Sequence, residues 1–434
     1  MSKAAVFPKI FIPEPRSERP MELPHCNFCK TQLRHSFVDL GAMPLANSYL
    51  EDLKAAEREP SYPLHARVCH SCFLVQVESV VQAEEIFSDY AYFSSYSESW
   101  VAHARAYTEM ATRRFGLGAD SLVAEVASND GYLLKHFVAA GIPVLGIEPA
   151  ANVAKVAVEN GVRTQVAFFG RETAERLRGE GYSADLMAAN NVLAHVPDIN
   201  DFVSGFRILL KPDGVATFEF PHLLNLIDEV QFDTIYHEHF SYLSLLAVEK
   251  IFAAHGLSVF DVEELPTHGG SLRVYARHSD STRHADGPGL ASVRRKEREA
   301  ALDRLDSYSG FEARVVAVRE ALMEFLNTAK AEGKVVAAYG AAAKGNTLLN
   351  YCGVGADLIP FVVDRSAAKQ GRYLPGSHIP ILAPEKIAQE KPDYVLILPW
   401  NLRDEIISEM RDVFAWDGQF VTAIPELRII GKPA

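Results

Sequence analysis

The stretch TIYHEHFSYLSL, from Thr234 to Leu245, places His237, Glu238 and His239 at consecutive positions. Such residues can bind a metal ion, or one histidine can act as a general base, because the imidazole pKa lies near neutrality. Zinc proteases place two histidines four residues apart on a helix, whereas a separation of two turns them about 200° apart. The spacing therefore favours a general base over a metal site. A polar patch at the start of a helix is the remaining alternative.

Four of the five cysteines form two CxxC pairs, CNFC at Cys26 and Cys29 and CHSC at Cys69 and Cys72. Two thiolates from each pair can reach one ion, which indicates a tetrahedral four-cysteine zinc site. A closed ligand shell leaves no position for water, so we assign this zinc a structural role and no chemistry. Four buried free thiols are the alternative. The fifth cysteine, Cys352, is expected in the core.

The elements that must position these residues alternate between strands and helices from about residue 120 onward. The segments SLVAEVAS, PVLGIEPA, ADLMAAN and VATFEF are typical of buried strands, and helical segments separate them. This alternation predicts a doubly wound parallel sheet. A second α/β unit follows an amphipathic helix at 311–326. We therefore predict an α/β protein with four parts: a zinc-binding module at 22–80, a central domain at 81–285, a helical connector at 286–330 and a Rossmann-like domain at 331–434.

The loop EVASNDGYLL follows the first central strand, where nucleotide-type cofactors bind at a helix N-terminus. It contains one glycine and lacks the three of the dinucleotide fingerprint. S-Adenosylmethionine has no phosphate, so fewer close backbone approaches suffice. This indicates a class I methyltransferase sheet, with a nicotinamide Rossmann domain or an inactive sheet protein as alternatives. The predicted cofactor-binding residues are Glu125, Ser128, Asn129, Asp130, Gly131, Glu148 and Asn191, of which Glu148 is placed to accept hydrogen bonds from ribose.

Candidate substrate-binding residues lie in both α/β units. Asn191 and His195 follow the strand ADLMAAN and are expected at its carboxyl end. In YGAAAKGNT, small residues allow close backbone approach, so Lys344 and Thr347 can meet a diphosphate. A structural turn with a surface lysine is the alternative. Further along, Lys369, Arg372 and Tyr373 are placed where they could cover a nucleotide.

Composition excludes several classes of protein. The formal net charge of −13 argues against a dominant nucleic-acid surface. No apolar run reaches the length of a membrane span, and no signal peptide opens the chain. We therefore expect a cytoplasmic protein without nucleic-acid or membrane partners, present as a monomer or small homo-oligomer.

Taken together, the motifs resemble those of the nucleotide-deoxysugar C-methyltransferase family. The matching elements, in the family's order, are the paired CxxC motifs, SNDGYLL, GIEPA, NNVLAHVPD, YHEHFSYLSL, HGGSLRV and YGAAAKGNTLLNY. The resemblance implies a zinc-binding domain, an S-adenosylmethionine domain and a C-terminal Rossmann-like domain, with substrate in the cleft between them. It implies a nucleotide-linked 4-keto-6-deoxysugar as the acceptor, with dTDP favoured over GDP and C3 favoured over C5.

The same resemblance implies roles for individual residues. His239 is the general base, and Glu238, Tyr236 and a tyrosine following the zinc module line the same site. We place that tyrosine at Tyr90 in FSDYAYFSSY, where two other tyrosines compete for the role. The base would remove a proton beside the ketone, and the enolate would attack the sulfonium methyl group.

Two other functional classes stay open at this point. One is a nicotinamide-dependent nucleotide-sugar oxidoreductase using the C-terminal unit, although that unit lacks GxGxxG. The other is a zinc-ribbon interaction protein with an inactive methyltransferase domain, which should bind S-adenosylmethionine poorly.

Overall fold

A computed structural model of the chain describes residues 23–81 and 93–432. These residues form three sheets, of four, seven and six strands, with helices packed on the two larger ones. The predicted α/β class is confirmed. No helix in the described ranges is both long and apolar enough to cross a bilayer.

The N-terminal part is a small antiparallel sheet that follows the first cysteine pair. Its strands are β1 (His35–Met43), β2 (Tyr62–Val68) and β3 (Val75–Val77). Antiparallel sheets can bury one face and leave the other in solvent, and alternate positions of β2 do point into the core. In β1 a bulge interrupts the alternation, so the adjacent residues Phe37 and Val38 are both buried. The second cysteine pair lies in the turn between β2 and β3.

The central part alternates helices and strands as predicted. Its elements are α1 (Glu98–Phe115), β4 (Val123–Val126), α2 (Leu134–Ala139), β5 (Val144–Glu148), α3 (Ala151–Glu159), β6 (Thr164–Val166), α4 (Arg171–Gly179), β7 (Ala184–Asn190), α5 (Ile199–Leu209), β8 (Leu210–Pro221), α6 (Leu223–Asp228), β9 (Ser241–Tyr242), α7 (Leu245–Ala254), β10 (Leu257–Leu265) and β11 (Ser271–His278).

Seven of these strands form one sheet in the order β10-β11-β8-β7-β4-β5-β6. The five strands from β8 to β6 run parallel, whereas β11 lies antiparallel to both of its neighbours. Helices cover both faces, so β4 and β5 are buried throughout, as their mostly apolar sequences indicate, and each strand carries one buried glutamate, Glu125 and Glu148. Helix α5 begins where the Asp198 side chain accepts hydrogen bonds from the amides of Asn200 and Asp201.

The C-terminal part is a second doubly wound sheet reached through two helices. Its elements are α8 (Pro288–Glu299), α9 (Phe311–Ala331), β12 (Val336–Tyr339), α10 (Ala343–Cys352), β13 (Val362–Val363), β14 (Ile381–Leu382), α11 (Glu385–Glu390), β15 (Tyr394–Ile397), α12 (Arg403–Glu409), β16 (Gln419–Thr422) and β17 (Arg428–Ile430). The order β14-β13-β12-β15-β16-β17 is that of a Rossmann sheet, with β17 antiparallel. Its topological switch point lies between β12 and β15.

The three sheets are joined by shared contacts. The short strand β9, from the YHEHFSYLSL motif, pairs antiparallel with β3 and so completes the N-terminal sheet. One hydrophobic cluster runs from that sheet through α9 into the C-terminal sheet, and the Phe37 and Phe311 rings stack at 4.3 Å within it. The alternative that His237–His239 start a helix is wrong, because these residues form a turn before β9 and the next helix starts at Leu245.

Candidate active site

The loop after β4 folds tightly at the carboxyl edge of the central sheet. Ala127, Asn129 and Gly131 have φ values of 55°, 49° and 79°, in the left-handed region. A Cβ on Gly131 would also lie 2.9 Å from Val162 Cγ2, so both backbone conformation and space require glycine there. The loop thereby carries the side chains of Ser128 to Asp130 to the end of the sheet.

Hydrogen bonds hold this loop from two sides. The Glu148 carboxylate, at the end of β5, accepts from the amides of Asn129 at 2.8 Å and Ala150 at 2.9 Å. The Asn129 side-chain oxygen accepts from the Ser94 amide at 2.9 Å. The Asp130 carboxylate likewise accepts from the amide of residue 95, at 3.1 Å. The segment at 94–95 therefore covers the loop.

Several polar atoms around this loop are buried without a hydrogen-bond partner among the described residues. They are Glu125 Oε2, Ser128 Oγ and Asp130 Oδ1. Burial raises the pKa of Glu125 well above its usual value. Buried polar atoms normally find partners, so a ligand rich in hydroxyl, amino and carboxylate groups would fit here. S-Adenosylmethionine has these groups, and the roles of the individual residues stay predictions.

The His239 ring is held by hydrogen bonds to both of its nitrogens. Nδ1 lies 2.9 Å from the carbonyl oxygen of Thr234, and Nε2 lies 2.8 Å from the Tyr236 hydroxyl. A carbonyl can only accept, so Nδ1 carries the proton in the neutral ring. Nε2 therefore has the lone pair, and the Tyr236 hydroxyl donates to it. This is the tautomer that a general base at Nε2 requires.

The surroundings of His239 keep its ring neutral. Burial lowers the pKa of His239 well below its ordinary value, and the nearby His195 ring lowers it further. The two ring centroids are 4.5 Å apart. Burial also lowers the pKa of His195, to about 4. Both rings retain some accessible surface, so neither is a fully enclosed core side chain.

Glu238 is positioned from two directions. Nδ2 of Asn47, from the N-terminal part of the chain, lies 2.9 Å from both carboxylate oxygens. Nδ1 of His195 donates to the Glu238 carbonyl oxygen at 2.9 Å. The side chain is only 4% exposed, and this burial raises the pKa of its carboxyl group. His237 lies apart from this arrangement, with Nε2 near the carbonyl oxygen of Tyr62.

The C-terminal part forms a further wall of the site. Lys344 Nζ donates to the side-chain oxygen of Asn401 at 2.7 Å and lies 4.7 Å from the centre of the Trp400 ring. Burial lowers the pKa of Lys344, while the nearby Asp233 carboxylate opposes that shift. The Trp400 indole donates to Asp233 at 2.8 Å.

The other predicted substrate-binding residues of the C-terminal part have surroundings that differ from those of Lys344. The Thr347 hydroxyl donates to the Ile235 carbonyl at 3.1 Å and so links α10 to the segment before His239. Tyr373 pairs through its backbone with Leu50, and Arg372 is exposed. The structure thus brings Lys344 close to the histidines, and nucleotide contacts from all four residues stay predictions.

Asn191 is a predicted contact to both the cofactor and the substrate. It follows β7 with a φ of 54°, and its Nδ2 donates to Nε2 of His268 at 3.1 Å. Tyr90 and its competitor Tyr92 lie outside the described residues, as does the side chain of Tyr96, so this role stays a prediction.

Sequence reasoning missed five polar residues at the site. They are Asn47, Asp233, His268, Trp400 and Asn401. Only His268 had a signal, since it lies in the HGGSLRV motif. Asp233 directly precedes the TIYHEHFSYLSL motif but carried no signal of its own, and the other three come from segments that no local pattern connects to His239.

The four cysteines of the CxxC pairs come together as predicted. Their sulfur atoms all lie within 4.8 Å of one another, with Cys26–Cys72 at 3.6 Å and Cys29–Cys69 at 3.4 Å. Four sulfurs about 2.3 Å from one zinc ion would be about 3.8 Å apart, so the cluster fits the metal. The Gln76 amide donates to Cys26 Sγ at 3.2 Å, which helps to orient this ligand.

Comparisons with known proteins agree with this arrangement. A zinc binding domain model matches 26–87, a methyltransferase domain model matches 102–262 and a C-methyltransferase C-terminal domain model matches 266–425. The C-methyltransferase NovU of Streptomyces niveus is 38% identical over 412 residues, which cover 95% of this chain and 97% of that protein.

Two further proteins match parts of the chain. The ubiquinone biosynthesis O-methyltransferase of Bartonella bacilliformis is 27% identical over 94 residues, 21% of this chain and 38% of that protein. Magnesium protoporphyrin IX methyltransferase from Synechocystis PCC 6803 aligns with 47% of this chain and 100% of its own, at 15% identity and a TM-score of 0.35.

The long match to NovU and the three family models decide between the functional classes. They confirm the prediction of an enzyme that uses S-adenosylmethionine and contains structural zinc, over the oxidoreductase and the inactive scaffold. The chain belongs to the sugar C-methyltransferase family and is an S-adenosylmethionine-dependent C-methyltransferase.

Proposed function

We propose that the acceptor is a dTDP-linked 4-keto-6-deoxysugar and that the enzyme methylates its C3 carbon with His239 as the general base. The observation that carries this proposal is the fixed tautomer of His239, with an unprotonated Nε2 in the cleft. Transfer of a methyl group to carbon requires loss of a C–H proton, whereas oxygen and nitrogen acceptors often need less help. A neutral imidazole beside a phenol suits that requirement.

The proposed reaction begins with proton removal. Nε2 of His239 takes a proton from C3, and the electron pair of the broken C–H bond moves into the adjacent C4 carbonyl to give an enolate. When bound, S-adenosylmethionine would supply an electrophilic methyl group on its sulfonium. The enolate carbon would bond to this methyl group as the carbon–sulfur bond breaks, and S-adenosylhomocysteine would leave. The proton stays on Nε2 until it passes to solvent, while Thr234 continues to accept from Nδ1.

Tyr236 is suited to two roles in this reaction. Its hydroxyl donates to Nε2 of His239 in the resting site. When Nε2 takes up the substrate proton, that hydroxyl must release the nitrogen and is then able to donate to the enolate oxygen. Donors directed at a developing oxyanion are among the larger contributions to catalysis.

The nucleotide is proposed to bind toward the C-terminal sheet. Lys344 stands at the start of α10, next to the switch point where Rossmann sheets bind ligands. It can exchange its hydrogen bond with Asn401 for one with a diphosphate oxygen. Asn47, Glu238 and Asn191 are left as candidate contacts to the sugar.

The test is an incubation of the purified enzyme with methyl-labelled S-adenosylmethionine and a panel of dTDP- and GDP-linked 4-ketosugars. NMR then locates the label. We expect one labelled carbon, C3, on a dTDP-linked sugar. Label on oxygen or nitrogen would refute the carbon-acid mechanism, and label at C5 or on the GDP series would refute those finer assignments alone.

A further inference from the structure

The segment that precedes the base is held by the C-terminal part of the chain. The Trp400 indole nitrogen donates to Asp233 Oδ2 at 2.8 Å, and Asp233 is completely buried. The next residue, Thr234, provides the carbonyl that accepts from His239 Nδ1. The following one, Ile235, accepts from the Thr347 hydroxyl. Thus the backbone that sets the tautomer of the base is anchored by side chains about 110–170 residues further along the chain.

The same indole ring contacts the loop that carries His268. Gly269 has a φ of 88°, and a Cβ there would lie 2.5 Å from Trp400 Cη2 and 2.9 Å from Gln231 Nε2. Gln231 in turn donates to the Gly269 carbonyl at 2.7 Å. The ring therefore fits closely between the base segment and the His268 loop.

Lys344 lies on this ring as well. Its Nζ is 4.7 Å from the ring centre, and its hydrogen-bond partner Asn401 directly follows Trp400. Asp233 has one carboxylate oxygen without a partner among the described residues. Burial raises the pKa of Asp233 to about 6, while Lys344 and the indole N–H favour its charged form. The indole N–H is therefore a principal hydrogen-bond donor to the Asp233 carboxylate, whose burial would otherwise cost free energy.

We propose that Trp400 is a positioning residue that fixes the tautomer and orientation of His239 through Asp233 and the Thr234 carbonyl. This inference rests on the proposed role of His239 as the base. It also assigns a second task to the C-terminal part of the chain: besides the nucleotide, that part sets the geometry of the base. Because Trp400 does not touch the reacting atoms in this scheme, loss of its N–H, with an aromatic ring kept beneath Lys344, should lower turnover and leave substrate binding nearly unchanged.

Trp400→Phe is the informative variant, since it keeps an aromatic ring while it removes the N–H donor together with part of the ring area. Trp416→Phe is the matched control, because its indole donates to the Pro392 carbonyl at 3.1 Å, on the far side of the C-terminal sheet. With the best ketosugar of the panel, we expect Trp400→Phe to lower kcat roughly tenfold, the effect of one lost buried hydrogen bond, with KM and S-adenosylmethionine affinity within about twofold.

A spectroscopic readout separates positioning from general loss of structure. Imidazole ¹⁵N shifts of His239, assigned with His239→Gln, should report one Nδ1–H tautomer in the wild type and a mixture in Trp400→Phe. Wild-type shifts and kcat in this variant would overturn the proposal, as would equal losses in kcat and ligand affinity with a lowered melting temperature. This NMR measurement needs no substrate, so it tests the inference even if every ketosugar in the panel fails and the proposed function falls.

Discussion

Replacing His239 by asparagine removes the proposed base but keeps a side chain that can donate to the Thr234 carbonyl. In the wild type that bond, at 2.9 Å, fixes the ring, and Nε2 is the atom that we propose takes the proton. General-base assistance contributes about 10²–10⁴-fold. Because burial lowers the pKa of His239, the ring is fully available at neutral pH but is a weaker base, so we expect the lower half of this range. His239→Asn should therefore lose about 10²–10³-fold in kcat, or about 3–4 kcal/mol.

The assay separates proton removal from methyl transfer. The enzyme is mixed with S-adenosylhomocysteine and the ketosugar in D₂O, and NMR follows exchange of the hydrogen at C3 against the rate without enzyme. Methyl transfer is measured in parallel. Both rates should fall by the same factor in His239→Asn, while calorimetry gives unchanged S-adenosylmethionine binding. Exchange and methylation at wild-type rates in this variant would refute the assignment of His239 as the base.

Three further predictions follow from other parts of the molecule. Burial lowers the pKa of both His239 and His195 below the ordinary imidazole value, so the neutral rings persist as the pH falls, and kcat/KM should stay flat from about pH 8 to below about pH 6.5. A midpoint at or above about pH 6.5 would contradict this. Cys29→Ser should lower bound zinc, measured by metal analysis, from one ion per chain and reduce the melting temperature, whereas Cys352→Ser should keep the metal. The buried Glu297 carboxylate accepts hydrogen bonds from the amides of Leu245 and Leu246 and pairs with His222. Glu297→Ala should therefore lower the free energy of unfolding in urea by about 3 kcal/mol. The control Glu299→Ala, at an exposed position, should change it little.

The sequence predicts the parts of this molecule that local patterns specify. The CxxC spacing predicts the sulfur cluster because each pair places its two ligands within one turn. The predominantly apolar runs predict β4, β5 and β7 because strands covered on both faces are mostly apolar. Their parallel arrangement follows from the alternation of strands and helices.

The remaining features depend on how distant segments pack. Strand β9 has only two residues, too few for any periodicity, and it exists because β3 offers an unpaired edge. The contact between Asn47 and Glu238 joins residues 191 positions apart, and the one between Trp400 and Asp233 joins residues 167 apart. No pattern along the chain encodes such pairs, because they arise only once the three sheets have docked.

The pairing of β9 with β3 ties the placement of the base to the folding of the cysteine-rich sheet. A shortened chain that starts after that sheet would leave the amides of Ser241 and Tyr242 exposed and Glu238 without its Asn47 partner. Chimaeras that exchange the N-terminal sheet between relatives should therefore succeed only when the new sheet brings a matching edge strand and an amide side chain at the position of Asn47. In this sense the metal-bound module determines where the turn that carries the proposed base lies.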